Sequence, residues 1–503
     1  MQAQARLLSR ETGDATCQDI IKSFNADLVR AFAPAPQHRF NGEASSTAAA
    51  AAASASLRDE SLHERAQQIR AHGPGVSSLA LDKFDGRILV SGGSDGSIKI
   101  WDLEEALSPH QRHTFRPVSS IARSPPGGGG HSHGITHLAF YPFDADAFLS
   151  SAYDKTLKLW AVQHCSLSAE FDLNATIYSH AMSPVAAHVL VACATQHSNV
   201  RLVDLKSGSA VQALVSHGGP VLCASWSPRH EHILASGHAD GKVRIWDVRR
   251  AGGVVAQLDQ EDSLGVVHRY RHAMATAGSG DGHGAMTATA MPRFRQAAQA
   301  HDEAVNALQW TDDGKFIVSA GLDSKIRVWD AGTGANTLAS FGAVIQNNHA
   351  KTATMVVTPS GLLGPPSREL VVWPNDQEIV VLDLHQGNVV TRLRSPGSSG
   401  GNHPRGNVRS RITAIVWRGC GGGIGHTGSV MGGANALGAI YSAHLDGQIR
   451  AWMPKVPGPE DVDELEGPDE DEEAKRRKRK AVDSAYRSLM GRQITFTGRS
   501  SSA

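Results

Sequence analysis

Residues 89–103 read LVSGGSDGSIKIWDL and residues 233–248 read ILASGHADGKVRIWDV. In both, an aspartate follows a serine by four positions and a tryptophan follows that aspartate by six. The spacing recurs five times, at Ser91/Asp95/Trp101, Ser150/Asp154/Trp160, Ser236/Asp240/Trp246, Ser319/Asp323/Trp329 and Ser442/Asp446/Trp452. Before each tryptophan the residues alternate: Ile98 and Ile100 face one side of a strand and Lys99 the other, as do Val243, Ile245 and Arg244. Each unit is therefore two strands joined by a polar turn. A fixed spacing over most of a long chain marks a repeat architecture.

These strings resemble the WD-repeat family. The resemblance implies an all-β fold, a seven-bladed β-propeller of four-stranded sheets. Blades one, two, four, five and seven centre on Trp101, Trp160, Trp246, Trp329 and Trp452. Blades three and six are degenerate: VRLVDL (200–205) and EIVVLDL (378–384) put Val203 and Leu382 in the tryptophan position. Ring closure is expected from 65–71, lent as the outer strand of the last blade. Each well-formed blade is expected to build a polar tetrad. The Asp accepts from a histidine, which bonds the Ser hydroxyl, which accepts from the indole N–H. The histidines expected for blades one, two, four and five are His72, His133, His217 and His301, with His403 a weak choice for blade seven. Such triads invite a hydrolase reading, but five copies in one chain point to structure.

The chain has 503 residues, with Lys+Arg and Asp+Glu both 49, so no global field draws it to nucleic acid or membranes. No apolar run approaches the roughly 18 residues of a membrane helix. Cys17, Cys165, Cys193, Cys223 and Cys420 are scattered without a CxxC pair, which argues against disulfides and cysteine–zinc sites. Residues 1–33 are expected to be helical, with Ile20, Ile21, Phe24, Leu28 and Phe32 as an apolar stripe and Thr16 with Asp19 as a capping box. Residues 34–64 read as linker and 65–456 as the propeller. Glycine-, serine- and alanine-rich insertions are expected at 104–130, 260–298, 395–410 and 419–437. The tail, 457–503, is acidic and then basic. Its Lys475, Arg476, Arg477, Lys478, Arg479 and Lys480 read as a nuclear import signal.

Several longer strings resemble one branch of that family, the Cockayne syndrome group A branch. They are LSRETG (8–13), QIRAHGPGVSSLALD (68–82), YDKTLKLW (153–160), YSHAMSP (178–184), VDLKSG (203–208) and SWSPRHEHILASGHADGKVRIWDVRRAGG (225–253). The resemblance implies a non-catalytic substrate receptor of a cullin-4 RING ubiquitin ligase in transcription-coupled nucleotide excision repair, at work in the nucleus. The partner implied is the ligase's damaged-DNA-binding adaptor subunit. The substrates implied are the stalled RNA polymerase II assembly and its repair ATPase. Docking is carried over onto Leu7, Leu8 and Arg10, and onto Trp246, Asp247 and Arg249. The alternative is an interaction scaffold without a ligase.

Other motifs carry less. His131, His133 and His137 hint at a metal, but the tetrad claims His133 and His131 lies in a glycine loop. Gly423-x-Gly425-x-x-Gly428 has no helix after it. All nine tryptophans are used by the blades, so none is left to stack on bases. No cofactor, metal, membrane contact or sequence-specific nucleic-acid contact is expected.

Overall fold

The structure is a computed structural model and describes residues 10–14, 16–43, 69–106, 112–250, 253–265, 298–364, 369–394, 411–419 and 438–454. Seven antiparallel sheets follow one another around a ring. Blade one comprises Val76–Leu81, Ile88–Gly93, Ile98–Asp102 and Pro117–Ile121, and blade two Ile135–Phe140, Ala147–Ala152, Thr156–Ala161 and Ser166–Asp172. Blade three comprises Ile177–Met182, Leu190–Thr195, Val200–Asp204 and Ser209–Leu214, and blade four Val221–Trp226, Ile233–His238, Val243–Asp247 and Val254–Gln257. Blade five has Val305–Trp310, Phe316–Gly321 and Ile326–Asp330, its fourth place reduced to a Trp329–Asn336 bridge. Blade six comprises Val356–Val357, Leu370–Pro374, Glu378–Asp383 and Val389–Arg394. Blade seven is completed by Phe32–Pro34 outside Ile449–Pro454, Ala439–His444 and Ile412–Arg418. Valine and leucine do hold the tryptophan places of blades three and six, since Val203 and Leu382 are fully buried.

Closure thus comes from residues 32–34 and not from 65–71. Phe32, Ala33 and Pro34 pair with Pro454, Met453 and Trp452. Of the expected closing segment, 65–68 lies outside the described residues. Ala71 and His72 instead donate their amides to Gly447 O across the seam between blades seven and one. Part of the expected linker is also ordered: His38–Phe40 runs parallel to His113–Phe115. Phe40 stacks on Phe115 at 4.8 Å and meets Trp101 and Tyr441 edge-on at 5.3 and 5.9 Å. The seam is held by this aromatic cluster as much as by the short ladder. The insertion expected at 104–130 likewise contains blade one's outer strand, Pro117–Ile121, whose largely solvent-facing side chains need no apolar pattern. Residues 107–111, 266–297, 395–410 and 420–437 of the expected insertions, with His403 and the glycine motif, lie outside the described residues, as does everything after 454.

The indole of each of the five tryptophans donates to its serine. The distances are 2.9 Å for Trp101–Ser91, 2.7 Å for Trp160–Ser150 and Trp246–Ser236, 2.9 Å for Trp329–Ser319 and 2.8 Å for Trp452–Ser442. The histidine reaches that serine by two routes. In blades one, two and five it arrives from the loop before the first strand. His72 Nε2 lies 2.8 Å from Ser91 Oγ, His131 Nε2 2.6 Å from Ser150 Oγ and His301 Nε2 2.8 Å from Ser319 Oγ. Asp154 and Asp323 accept directly from His131 and His301, at 2.9 and 3.0 Å. Asp95 is reached through Ser97, which lies 2.8 Å from His72 Nδ1 and donates to the carboxylate at 2.6 Å.

In blades four and seven the histidine comes from the serine's own strand. His238 Nε2 is 2.8 Å from Ser236 Oγ and His444 Nε2 2.9 Å from Ser442 Oγ. Residues two apart on a strand share a face, so this histidine needs no loop. The aspartate, left without an imidazole, takes an arginine: Arg244 Nη2 to Asp240 and Arg450 Nη2 to Asp446, both 2.8 Å.

Two tetrad histidines differ from those expected. Blade two uses His131; His133 is exposed and bonds only its neighbour Ser132, because Nδ1 of His131 already holds Asp154. Blade four uses His238, which fills the place His217 would occupy. His217 is exposed, and only its backbone carbonyl joins in, accepting from Arg244 at 2.7 Å. Where the loop histidine is used, the residue two after the serine must be small. It is Gly93, Ala152 or Gly321, and a Cβ on Gly321 would sit 2.6 Å from His301 Nδ1.

Burial holds the His238 and His180 imidazoles well below the usual histidine range, and also lowers those of His72 and His301. Burial, the largest single influence, would raise the Asp154 and Asp323 carboxyls, but the bonds and charge of His131 and His301, together with Thr156 and Ser132 at Asp154 and Arg327 at Asp323, jointly outweigh it and hold both well below the carboxylate range.

Two outcomes follow for stability. His238→Ala leaves the buried Ser236 hydroxyl bonded to Trp246 alone, without its imidazole partner, and should cost about 1–3 kcal/mol in denaturant unfolding. His217→Ala should stay within about 0.5 kcal/mol, and the reverse order would overturn the assignment. Below about pH 6.5 the unfolded chain binds protons that the buried imidazoles refuse. Stability is therefore full above that pH and falls as pH drops, by about 1.4 kcal/mol per unit for each such histidine. A melting temperature that is flat or rising from neutral to about pH 5 would contradict this.

Candidate docking face

Antiparallel connectivity puts the ends of the third strands on the same face as the turns joining first and second strands. Arg249 stands on that face, just past Val243–Asp247, and Val248 N is bonded to His232 O of the neighbouring turn. The Asp247 carboxylate, almost wholly buried, accepts Arg249 Nε at 3.0 Å and Nη2 at 2.8 Å. That hydrogen bond is the main cause of the lowered Asp247 carboxyl and the raised Arg249 guanidinium. One edge of the fork is spent on Asp247, and the side chain remains 62% exposed. The guanidinium is thus held in a fixed plane with its far edge open to a partner, a geometry lysine cannot supply. Trp246 lies beneath it, fully buried and bonded to Ser236.

The helix α1, Cys17–Arg30, leads into the closing strand on this same face. Thr16 and Asp19 form the capping box: Asp19 N donates to Thr16 Oγ1 at 3.2 Å and Thr16 N to Asp19 Oδ2 at 3.1 Å. The C-terminal half of the helix packs on the propeller, with Leu28, Val29 and Phe32 against Leu363, Leu370 and Trp452. Asn25 Nδ2 donates to Leu362 O at 3.0 Å. The N-terminal half overhangs. Ile21 and Phe24, on the same apolar stripe as Leu28, are 50% and 48% exposed. The stripe is continuous in sequence, yet the propeller covers only its last turn and a half.

Of the other anticipated contacts, Arg10 is exposed, while Leu7, Leu8 and Lys475–Lys480 lie outside the described residues. Two apolar residues of this face were not anticipated. Phe143 and Val185, in the first-to-second turns of blades two and three, are 43% and 48% exposed. A signal was available, since each directly follows a proline in the turn, as Pro142-Phe143 and Pro184-Val185. The three histidines His131, His133 and His137 do not converge: they serve the tetrad, a surface bond to Ser132 and an edge-to-face pair with His180. Among the described residues, the acidic cluster Asp312, Asp313 and Glu369 is answered by Lys315 at 2.8 Å and His385 at 3.1 Å. The five tetrad serines are fully buried.

The WD40 profile (WD domain, G-beta repeat) matches residues 64–102, 110–161, 208–247 and 294–330. WD repeat-containing protein ATCSA-1 of Arabidopsis thaliana is 31% identical over 321 residues, which is 56% of this chain and 71% of that protein. Radiation-sensitive protein 28 of Saccharomyces cerevisiae is 23% identical over 341 residues, 51% of this chain and 65% of that protein. Ribosome biogenesis protein YTM1 of Phaeosphaeria nodorum is 27% identical over 284 residues, and the match spans 55% of its length. With seven blades, serine–tryptophan hubs and most of a 31% identical relative matched, the chain belongs to the WD-repeat family.

Proposed function

We propose that this protein is a non-catalytic receptor subunit. It docks on the damaged-DNA-binding adaptor of a cullin-4 RING ubiquitin ligase and presents cargo for ubiquitin transfer in transcription-coupled repair. The observation that carries this reading is the shared face. Two elements far apart in sequence, the overhanging half of α1 and the clamped Arg249, stand on one side of the ring, as do the exposed turn residues Phe143 and Val185. An apolar helix face seats in a partner's groove, and a pre-oriented guanidinium adds a bidentate contact. The names of the Arabidopsis relative and of the radiation-sensitive yeast relative point the same way. Cargo, by this reading the polymerase assembly and its repair ATPase, gains from proximity to the ligase, itself a large contribution to rate. The protein works in the nucleus, with Lys475–Lys480 as its import signal.

Capture of the purified adaptor tests this. Arg249→Glu combined with Ile21→Asp and Phe24→Asp should weaken capture at least about thirtyfold, the scale of losing a buried anchor. Ile21 and Phe24 are exposed and their replacement should leave the melting temperature unchanged, whereas Arg249→Glu takes a partner from buried Asp247, so capture is compared at a temperature where melting shows the variant folded. Unchanged capture by folded variants would refute the docking face. Co-purification of the unaltered protein with pre-ribosomal particles instead would favour the function named for the YTM1 relatives.

A further inference from the structure

The segment from blade one's outer strand to blade two, residues 122–134, carries a serine that the fold leaves unused. It is Ser124, at the head of Ser124-Pro125-Pro126-Gly127. A serine or threonine precedes a proline at Ser108, Ser124, Ser183, Ser227, Thr358 and Ser395. Ser108 and Ser395 lie outside the described residues. Ser183, Ser227 and Thr358 are buried, at 1%, 0% and 5% exposure. The last two hydroxyls also hold backbone: Ser227 Oγ accepts from Arg229 N and His230 N, both at 3.3 Å, and Thr358 Oγ1 from Leu370 N at 2.9 Å. Ser124 differs on both counts. It is half-buried, and its hydroxyl makes no hydrogen bond to a described residue.

The surroundings of Ser124 make it reachable. Ile121 lies opposite Ile98, at the start of the third strand, so the segment opens on the face away from Arg249. Pro125 and Pro126 bring no amide donors. Among the described residues, two backbone bonds tie the turn, Ser124 N to His131 O at 3.1 Å and Gly128 N to Pro125 O at 2.9 Å. A Cβ on Gly127 or Gly129 would meet nothing within 4 Å, so the tip stands in open space. Lys158, buried beneath, holds the base of the turn through Gly130 O at 2.8 Å and pairs with Glu170 at 3.3 Å. Ser124 lines a cavity of about 450 Å³ with Arg123, Pro125, Pro126, Ser132 and His133. Arg123 Nε is spent on Ser132 O and His133 Nδ1 on Ser132 Oγ, both at 2.9 Å. The guanidinium's Nη groups and the imidazole's Nε2 are left over. Among the described residues, no carboxylate lines the cavity to compete for them.

We propose that Ser124 is a phosphorylation site for a proline-directed protein kinase, and that the phosphate it gains seats in this cavity on Arg123 and His133. The proline after the serine is the cue such a kinase reads, because it holds the serine extended. The phosphoryl donor is a nucleoside triphosphate. Ser124 Oγ forms a bond to the γ-phosphorus as the bond from that phosphorus to the β–γ bridging oxygen breaks; the nucleoside diphosphate leaves, and the hydroxyl proton passes to the kinase's base. Phosphoserine brings a charge of about −1.5 to −2 and three acceptor oxygens. Arg123 meets them with its open guanidinium edge, and His133 adds a donor from the far side of the turn. The phosphate thus links residues 123 and 133, at the two ends of the segment. The site goes beyond the ligase reading and does not depend on it.

The test uses the full chain with Ser108→Ala and Ser395→Ala, incubated with ATP and either a cyclin-dependent or a mitogen-activated protein kinase. A single phosphate should appear, placed on Ser124 by peptide mass, and Ser124→Ala should abolish it. Phosphorus NMR reads the seat separately. Phosphoserine takes its second ionisation at about pH 6. Arg123 and His133 are the charged and titratable groups lining the cavity, and they favour the dianion, so the midpoint should lie at or below about pH 5.5. Arg123→Gln with His133→Gln should return it to about pH 6. Both side chains are exposed, and Lys158 keeps Glu170 in that variant. An unmodified Ser124, a phosphate on Ser183, Ser227 or Thr358 in its place, or a midpoint that the double variant leaves unmoved would overturn the proposal.

Discussion

The structure depends on one strand pairing that joins the ends of the ring. Phe32–Pro34 lies against the last strand of blade seven, more than four hundred residues away in sequence. Without it the Ile449–Pro454 edge stands open, a template for pairing with another chain. Three ladder residues hold little by themselves. The flanking elements make the joint: α1 packs on blades six and seven, and Phe40 packs into the cluster of Phe115, Trp101 and Tyr441 between blades seven and one. The closing strand is thus one link in a belt running from residue 16 to residue 43. Because contacts of such long separation form only when most of the ring exists, the belt closes on a nearly complete propeller.

How much of this was legible in the sequence varied with how many residues each feature uses. The serine–aspartate–tryptophan spacing repeats and alternates, so the blades, their number and the buried hubs could be read from it. Val203 and Leu382 were legible too, because a buried third strand stays apolar when the tryptophan is gone. The closing strand was not legible. Three residues carry no period, and Phe32 reads equally well as the last residue of a helical stripe. Pro117–Ile121 escaped for a related reason: an outer strand is held by backbone bonds while its side chains face water. Glycine and serine around it then resemble a loop.

The tetrad histidines show a subtler limit. Spacing pointed to a histidine before the first strand, which suits His72 and His301. It misled in blade four, where His217 occupies that place in the sequence and not in the core. The deciding signal was the residue two after the serine. A histidine there, as in SGHAD and SAHLD, fills the position from within the strand, and an arginine four after the aspartate replaces the lost partner. A glycine or alanine there leaves room for the loop histidine. His131 and His133, two residues apart, were a closer contest, and geometry chose the one whose two nitrogens reach both Ser150 and Asp154.

The same economy bears on how the two faces relate. The belt and Arg249 lie on one side, and residues 347–354 run along the other, where the first strands begin. Residues 347–354 cross-link four blades: Lys351 and Thr352 donate to Ser77 O and Leu222 O, Asn347 bonds Asn306, and Thr354 accepts from Ile415 N, so the ring resists opening or shearing as one body. A rigid ring transmits little between its faces. The overhang of α1 fits that division. Its covered half closes the ring, its bare half is free to dock, and docking need not disturb the closure on which the fold depends.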